Sequence, residues 1–106
     1  MQTQVSPTPV HTTVKSRVFY GSTENTLTFS VGSTVEQCDQ LAVSAFQIVT
    51  NPHTFGLFRE DGVTELLPIT APVARVEGPE PPPPGTVGIR ENEKLILRVS
   101  TVRGGG

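Results

Sequence analysis

The residue types best suited to chemistry are scattered along this chain. Cys38 is its single thiol. It stands with Val35, Leu41, Ala42, Ala45, Phe46 and Val49 at the three- and four-residue steps of a helix's apolar stripe. A nucleophilic cysteine needs exposure and a positive setting, so Cys38 reads as a buried packing residue. His11 and His53 lie far apart with no companion cysteine pair, and no zinc site is expected. Glu60 and Asp61 are adjacent turn carboxylates, too close in sequence to flank a substrate as an acid–base pair. No glycine-rich loop leads into a helix, so no phosphate cradle is expected. These residues give no catalytic centre and no cofactor. The expectation is a binding module, not an enzyme.

The candidates for binding are basic. Lys15 and Arg17 stand two residues apart, on one face of any strand that contains them. They could meet an acidic partner, or simply form a solvated strand face that discourages edge aggregation. The formal net charge of -2 argues against a general binder of nucleic acid or anionic membrane. A single cysteine excludes an internal disulfide, which small secreted domains commonly need. No apolar run is long enough to span a bilayer, and the first residues lack the basic-then-apolar order of a secretory signal. The expected setting is cytoplasmic, with the isolated domain a monomer.

Elements that could position these side chains follow from periodicity. Residues 1–13, rich in Thr, Gln and Pro, read as a flexible lead-in to a module of a longer protein. "VKSRVFY" is a β-branched and aromatic strand. "GSTEN" is a turn, and in "TLTFSV" Leu27, Phe29 and Val31 alternate with Thr26, Thr28 and Ser30, a strand with one buried face. "GSTVEQCDQLAVSAFQIV" has helical period. Ser33 and Glu36 are spaced as a capping box, and Glu36, Gln37, Asp39, Gln40 and Ser44 should face water. The helix should end near Pro52, which disfavours helical geometry at Asn51. "TFGLFRE" is a third strand, with Phe55 and Leu57 on one face and Phe58 on the other. "VTELLPI" is a short fourth strand. Residues 70–86 read as a proline-rich loop, in which Pro81 to Pro84 favour polyproline II geometry. That run could serve as a ligand for SH3 or WW domains, although a stiff solvated loop is its plainer reading. Leu95, Leu97 and Val99 alternate in a last strand, and residues 103–106 form a flexible glycine tail.

One helix can cover one face of a sheet. The expected fold is therefore α+β, with a mixed sheet packed on one main helix over residues 14–102. In this β-grasp arrangement the last strand lies beside the first at the sheet centre. "VGIRENEKLILRV" resembles the ubiquitin stretch in which a buried isoleucine, here Ile89, precedes a polar turn and the final strand. "TFGLFREDGVTELLP" resembles ubiquitin's third strand, turn and short fourth strand. Within this ubiquitin-like superfold, "NPHTFGLF" is similar to the Ras-association domains of the Ras- and Rab-interactor proteins. The first lobe of FERM domains is a second relative.

The Ras-association resemblance implies a signalling module that binds a Ras-family small GTPase. It would do so through the edge of its second strand, with Thr26, Thr28 and Ser30 along that edge and Lys15 and Arg17 beside it. Glu36 and Asp39 on the early helical turns would bring negative charge to the same side. The ubiquitin resemblance implies a different role for Arg103-Gly104-Gly105-Gly106, conjugation through Gly106. The FERM resemblance implies a structural lobe packed within a larger protein. Glycine-rich ends also occur at linkers and domain boundaries.

Overall fold

The computed structural model describes residues 12–102. The remaining positions, including His11 and Gly106, lie outside the described residues, as do most of the lead-in and the glycine tail.

The chain opens with a hairpin. β1 (Thr13–Tyr20) and β2 (Thr23–Ser30) pair antiparallel, with Tyr20 opposite Thr23. Gly21, at φ +64, takes the first position of the two-residue loop, where a type II′ turn needs a positive φ. Val14 and Val18 of β1 and Leu27 and Phe29 of β2 are buried, while Lys15 and Arg17 are exposed. Val31, expected on the buried face, lies just past the strand and is exposed.

The helix α1 spans Val35–Ala45. Its capping box sits one residue later than the sequence suggests. The Thr34 hydroxyl accepts the Gln37 N–H at 3.2 Å, and the Thr34 N–H donates to Gln37 Oε1 at 2.9 Å. Ser33 is otherwise engaged: its N–H donates to the Ser30 carbonyl and its own carbonyl accepts the Val73 N–H. The helix also ends earlier than the approach of Pro52 predicts. Gln47 turns left-handed at φ 56, its N–H reaches the Ser44 carbonyl, and the Ile48 N–H reaches the Val43 carbonyl. This is a Schellman motif, which satisfies the last carbonyls and stops the helix. The buried stripe is Val35, Cys38, Asp39, Ala42 and Val43. Leu41 and Val49, read as inward-facing, are exposed; Asp39, read as facing water, is fully buried.

A short 3-10 turn (Pro52–Thr54) leads into β3 (Phe55–Phe58). "VTELLPI" does not form the expected fourth strand. The Asp61 carboxylate accepts the N–H groups of Val63 and Thr64 at 2.8 Å, and the Arg59 N–H closes on the Thr64 carbonyl. The chain is folded back on itself there, and only an isolated bridge, Phe58 to Glu65, remains. The fourth strand lies later, inside the segment read as loop: β4 is Val73–Val76, and it pairs in parallel with β5, Val87–Arg90. β4 forms because β5 lies alongside it, and its first residue is tied to the helix entrance, with the Gly32 N–H donating to the Val73 carbonyl and the Val73 N–H to the Ser33 carbonyl.

β6 (Glu93–Val99) completes a four-stranded sheet of order β2-β1-β6-β3, parallel to β1 and antiparallel to β3. The final strand is therefore central, with Leu95 and Leu97 buried against the helix side. Phe29, Leu57, Leu66, Ile89 and Val35 fill the same core. The result is a small α+β domain in which a mixed sheet packs on one helix, an architecture compatible with a β-grasp.

Candidate functional site

The site begins with the outer edge of β2. A two-residue hairpin loop makes Tyr20–Thr23 a hydrogen-bonded pair, and the phase then alternates along the ladder. The Val31 N–H to Thr12 carbonyl bond of 2.9 Å continues that phase beyond the strand. Glu24, Thr26, Thr28 and Ser30 consequently turn their backbone N–H and C=O groups away from β1. Among the described residues no further strand pairs there, since β2 ends the four-stranded sheet. The Ser30 carbonyl is already used by the Ser33 N–H, so the open stretch is Glu24 to Thr28.

The residues singled out in the sequence come together. Lys15 lies opposite Thr28, Arg17 opposite Thr26, and Thr13 opposite Ser30. All of these side chains stand on the exposed sheet face. The turn between β5 and β6 fixes the basic pair from the other flank. Lys15 N–H donates to Glu91 Oε1 at 2.9 Å, its carbonyl accepts the Asn92 N–H at 2.7 Å, and Arg17 Nε donates to the Asn92 carbonyl at 3.3 Å. Asn92 sits at φ 66, a left-handed position that asparagine tolerates well. Gly106 is outside the described residues and takes no part in this geometry.

On the helix side of the edge lies a groove of about 350 Å³, lined by Thr28, Phe29, Ser30, Gln37 and Leu41 among others. Sequence reasoning missed Gln37 and Leu41 as groove residues. Leu41 fits the apolar stripe by spacing, yet it falls at the stripe's margin and is 43% exposed. Its surplus to a stripe already filled by Val35, Cys38 and Ala42 is the signal that could have found it.

The electrostatics of the helix also differ from expectation. Asp39 points inward and accepts the Leu57 N–H, leaving Glu36 exposed on the first turn. Cys38 is pushed up to about 12, chiefly because burial strips water from the thiolate and secondarily because the Asp39 charge repels it. It remains a neutral thiol at physiological pH. Among the described residues no cluster of His, Cys, Asp and Glu is arranged to hold a metal ion, and no helix is long and apolar enough to cross a membrane.

An exposed strand edge with open backbone donors and acceptors can take an added strand from another protein. The cations beside it would favour an acidic incoming segment. No protein-family model matches this chain, and no curated protein matches it. What the chain offers is thus a class: an α+β domain whose four-stranded sheet has, among the described residues, an open β2 edge beside Lys15 and Arg17.

Proposed function

We propose that this domain is a non-catalytic, Ras-association-like interaction module with a β-grasp fold, and that it docks a Ras-family small GTPase at the β2 edge. The observation that carries the reading is the open backbone of Glu24, Thr26 and Thr28, flanked in register by Arg17 and Lys15. Main-chain pairing would set the docking geometry. Lys15 and Arg17 would steer an acidic effector strand and speed its encounter. Burial of Asp39 supports this reading, because it removes one carboxylate from the side on which the partner would approach. The proposed setting is cytoplasmic signalling.

Titration of the isotope-labelled domain with GTP-loaded and GDP-loaded Ras-family proteins tests the proposal. Chemical-shift changes along Glu24 to Thr28 with the GTP form, weakened by Arg17→Glu, are expected. Equal response to both nucleotide states, or an Arg17→Glu variant that binds as the parent does, removes the GTPase.

A second reading, a FERM-like lobe that packs within a larger protein, is favoured by one observation. Tyr20, Phe46, Val49, Phe55 and Val99 line a shallow depression together with the polar Gln47, Thr50, Asn51 and Thr54, with Val49 86% and Val99 54% exposed. Exposed apolar side chains gathered in one patch can mark a contact surface. Conjugation through Gly106 would be read out as a thioester with an activating enzyme and ATP.

A further inference from the structure

The outer face of the sheet carries a second arrangement, centred on β6 and sharing Arg17 and Lys15 with the β2 edge. β1 and β6 run parallel with Arg17 beside Lys94 and Phe19 beside Ile96, and Ile96 is in turn beside Phe58 of β3. Because Val18 and Leu95, one residue earlier in the same register, are buried, these neighbours share the opposite face. Lys94 Nζ lies 4.9 Å from the centre of the Phe19 ring, and the Arg98 guanidinium lies 5.3 Å from that of Phe58. The face is thus a half-buried apolar pair, Phe19 and Ile96, with fully buried Phe58 beside them, bordered by Lys94, Arg17, Lys15 and Arg98, whose guanidinium also donates to the Gly62 carbonyl at 2.6 Å.

Two features of this face call for a counter-charge. Like charges directly side by side on neighbouring strands destabilise a sheet, and Arg17 and Lys94 are so paired. Among the described residues the arginines held in ion pairs are Arg59, with Glu93, and Arg75, with Glu77 and with the Glu91 carboxylate that also accepts the Lys15 N–H. Four of the eight lysines and arginines therefore gather on one face, which also carries Glu24 opposite Phe19, in a chain whose net charge is -2. We propose that this face binds an acidic peptide segment with an apolar anchor residue between its carboxylates. Lys94, Ile96 and Arg98 alternate along β6, so the two cations stand roughly 13 Å apart with the isoleucine midway. An extended segment of pattern acid–x–apolar–x–acid has the same spacing. An anionic membrane fits less well. Phe19 and Ile96 are half-buried and cannot insert, and the acidic chain as a whole would be repelled beyond a Debye length of about 8 Å.

The test uses the whole chain and a fluorescein-labelled peptide with a Glu-Ser-Leu-Ser-Asp core. Expected are saturable binding that weakens with salt, amide shifts at Phe19, Lys94, Ile96 and Arg98, and a loss of roughly tenfold or more in affinity on combining Lys94→Glu with Arg98→Glu. A Lys94→Arg variant should retain binding, and a peptide with serine in place of leucine should bind more weakly. The proposal is overturned if no binding is found or if the folded double variant binds equally. It is also overturned if shifts are confined to Thr26 and Thr28, or if phosphatidylserine vesicles or single-stranded oligonucleotides are preferred over the peptide. The two sites share Arg17 and Lys15, so the Lys94→Glu, Arg98→Glu pair, which leaves that rim intact, tells a peptide result from a GTPase result at the β2 edge.

Discussion

The Asp39 carboxylate on α1 accepts the backbone N–H of Leu57 on β3 at 3.2 Å, with both residues fully buried. Leu57 lies on the far edge strand of the sheet, and its carbonyl is taken by the Leu66 N–H at 2.9 Å. Both of its backbone groups are therefore satisfied within the domain. The β3 edge is engaged by the helix and by the returning chain, whereas the β2 edge stays open. That asymmetry leaves β2 as the open edge of the four-stranded sheet among the described residues.

Removing the Asp39 side chain leaves the Leu57 N–H buried without this acceptor. Asp39→Ala should lower stability by about 1–3 kcal/mol, read as a lower midpoint in a urea titration. An unchanged midpoint would mean that the helix-to-β3 link contributes nothing.

Leu97 is 2% exposed on the central strand, while Leu41 is 43% exposed on the helix margin. Leu97→Ala should cost about 2–5 kcal/mol, and Leu41→Ala should stay within about 0.5 kcal/mol. The same titration compares them. If Leu41 lines a binding groove, its variant will show its effect in partner affinity.

Gly88 stands where β5 meets the proline run. A Cβ there would collide with Val76 Cγ2 and approach Pro82 Cβ to 3.0 Å. Gly88→Ala should destabilise by about 1–3 kcal/mol, the usual cost of overpacking. Combining it with Val76→Ala, which removes the colliding Cγ2, should cost less than the sum of the two single changes in thermal melts.

Asp61 offers a pH test. Its carboxyl is lowered from 3.8 to about 2, first by the Thr64 N–H, then by the Thr64 hydroxyl and the Val63 N–H. The folded state holds this proton less tightly than the unfolded one. The turn's contribution is therefore present above pH 3.8 and lost as pH falls through about 2. Melting temperatures measured across that window should fall more steeply for the parent chain than for Asp61→Asn. Parallel curves would show that the turn carries no pH-linked stability.

Much of the scaffold was legible from local pattern. Period-two alternation in "TLTFSV" and "KLILRV" and the three-and-four spacing from Val35 to Ala42 each require one dry face, and burial of that face defines strand or helix whatever surrounds it. The side-by-side rise of Lys15 and Arg17 on one strand face followed from the same pleat. Boundaries were less legible. The cap moved from Ser33 to Thr34 because Ser33 is drawn into bonds with Ser30 and Val73, and the helix stopped at a left-handed Gln47, which no proline or glycine announces.

What the tertiary structure alone decided concerns partners distant in sequence. "VARV" has too few residues and too many flanking prolines to display a period, and it becomes a strand because Val87 to Arg90 lies alongside. Asp39 looks like a solvated helix residue until Leu57 supplies an N–H to accept. The like-charged neighbours Arg17 and Lys94 come from segments separated by most of the chain. Local sequence determines which face of each element must be dry. Which edges stay open, and which charges end up adjacent, depends on long-range pairing, and the proposed docking edge and peptide face both arise at that level.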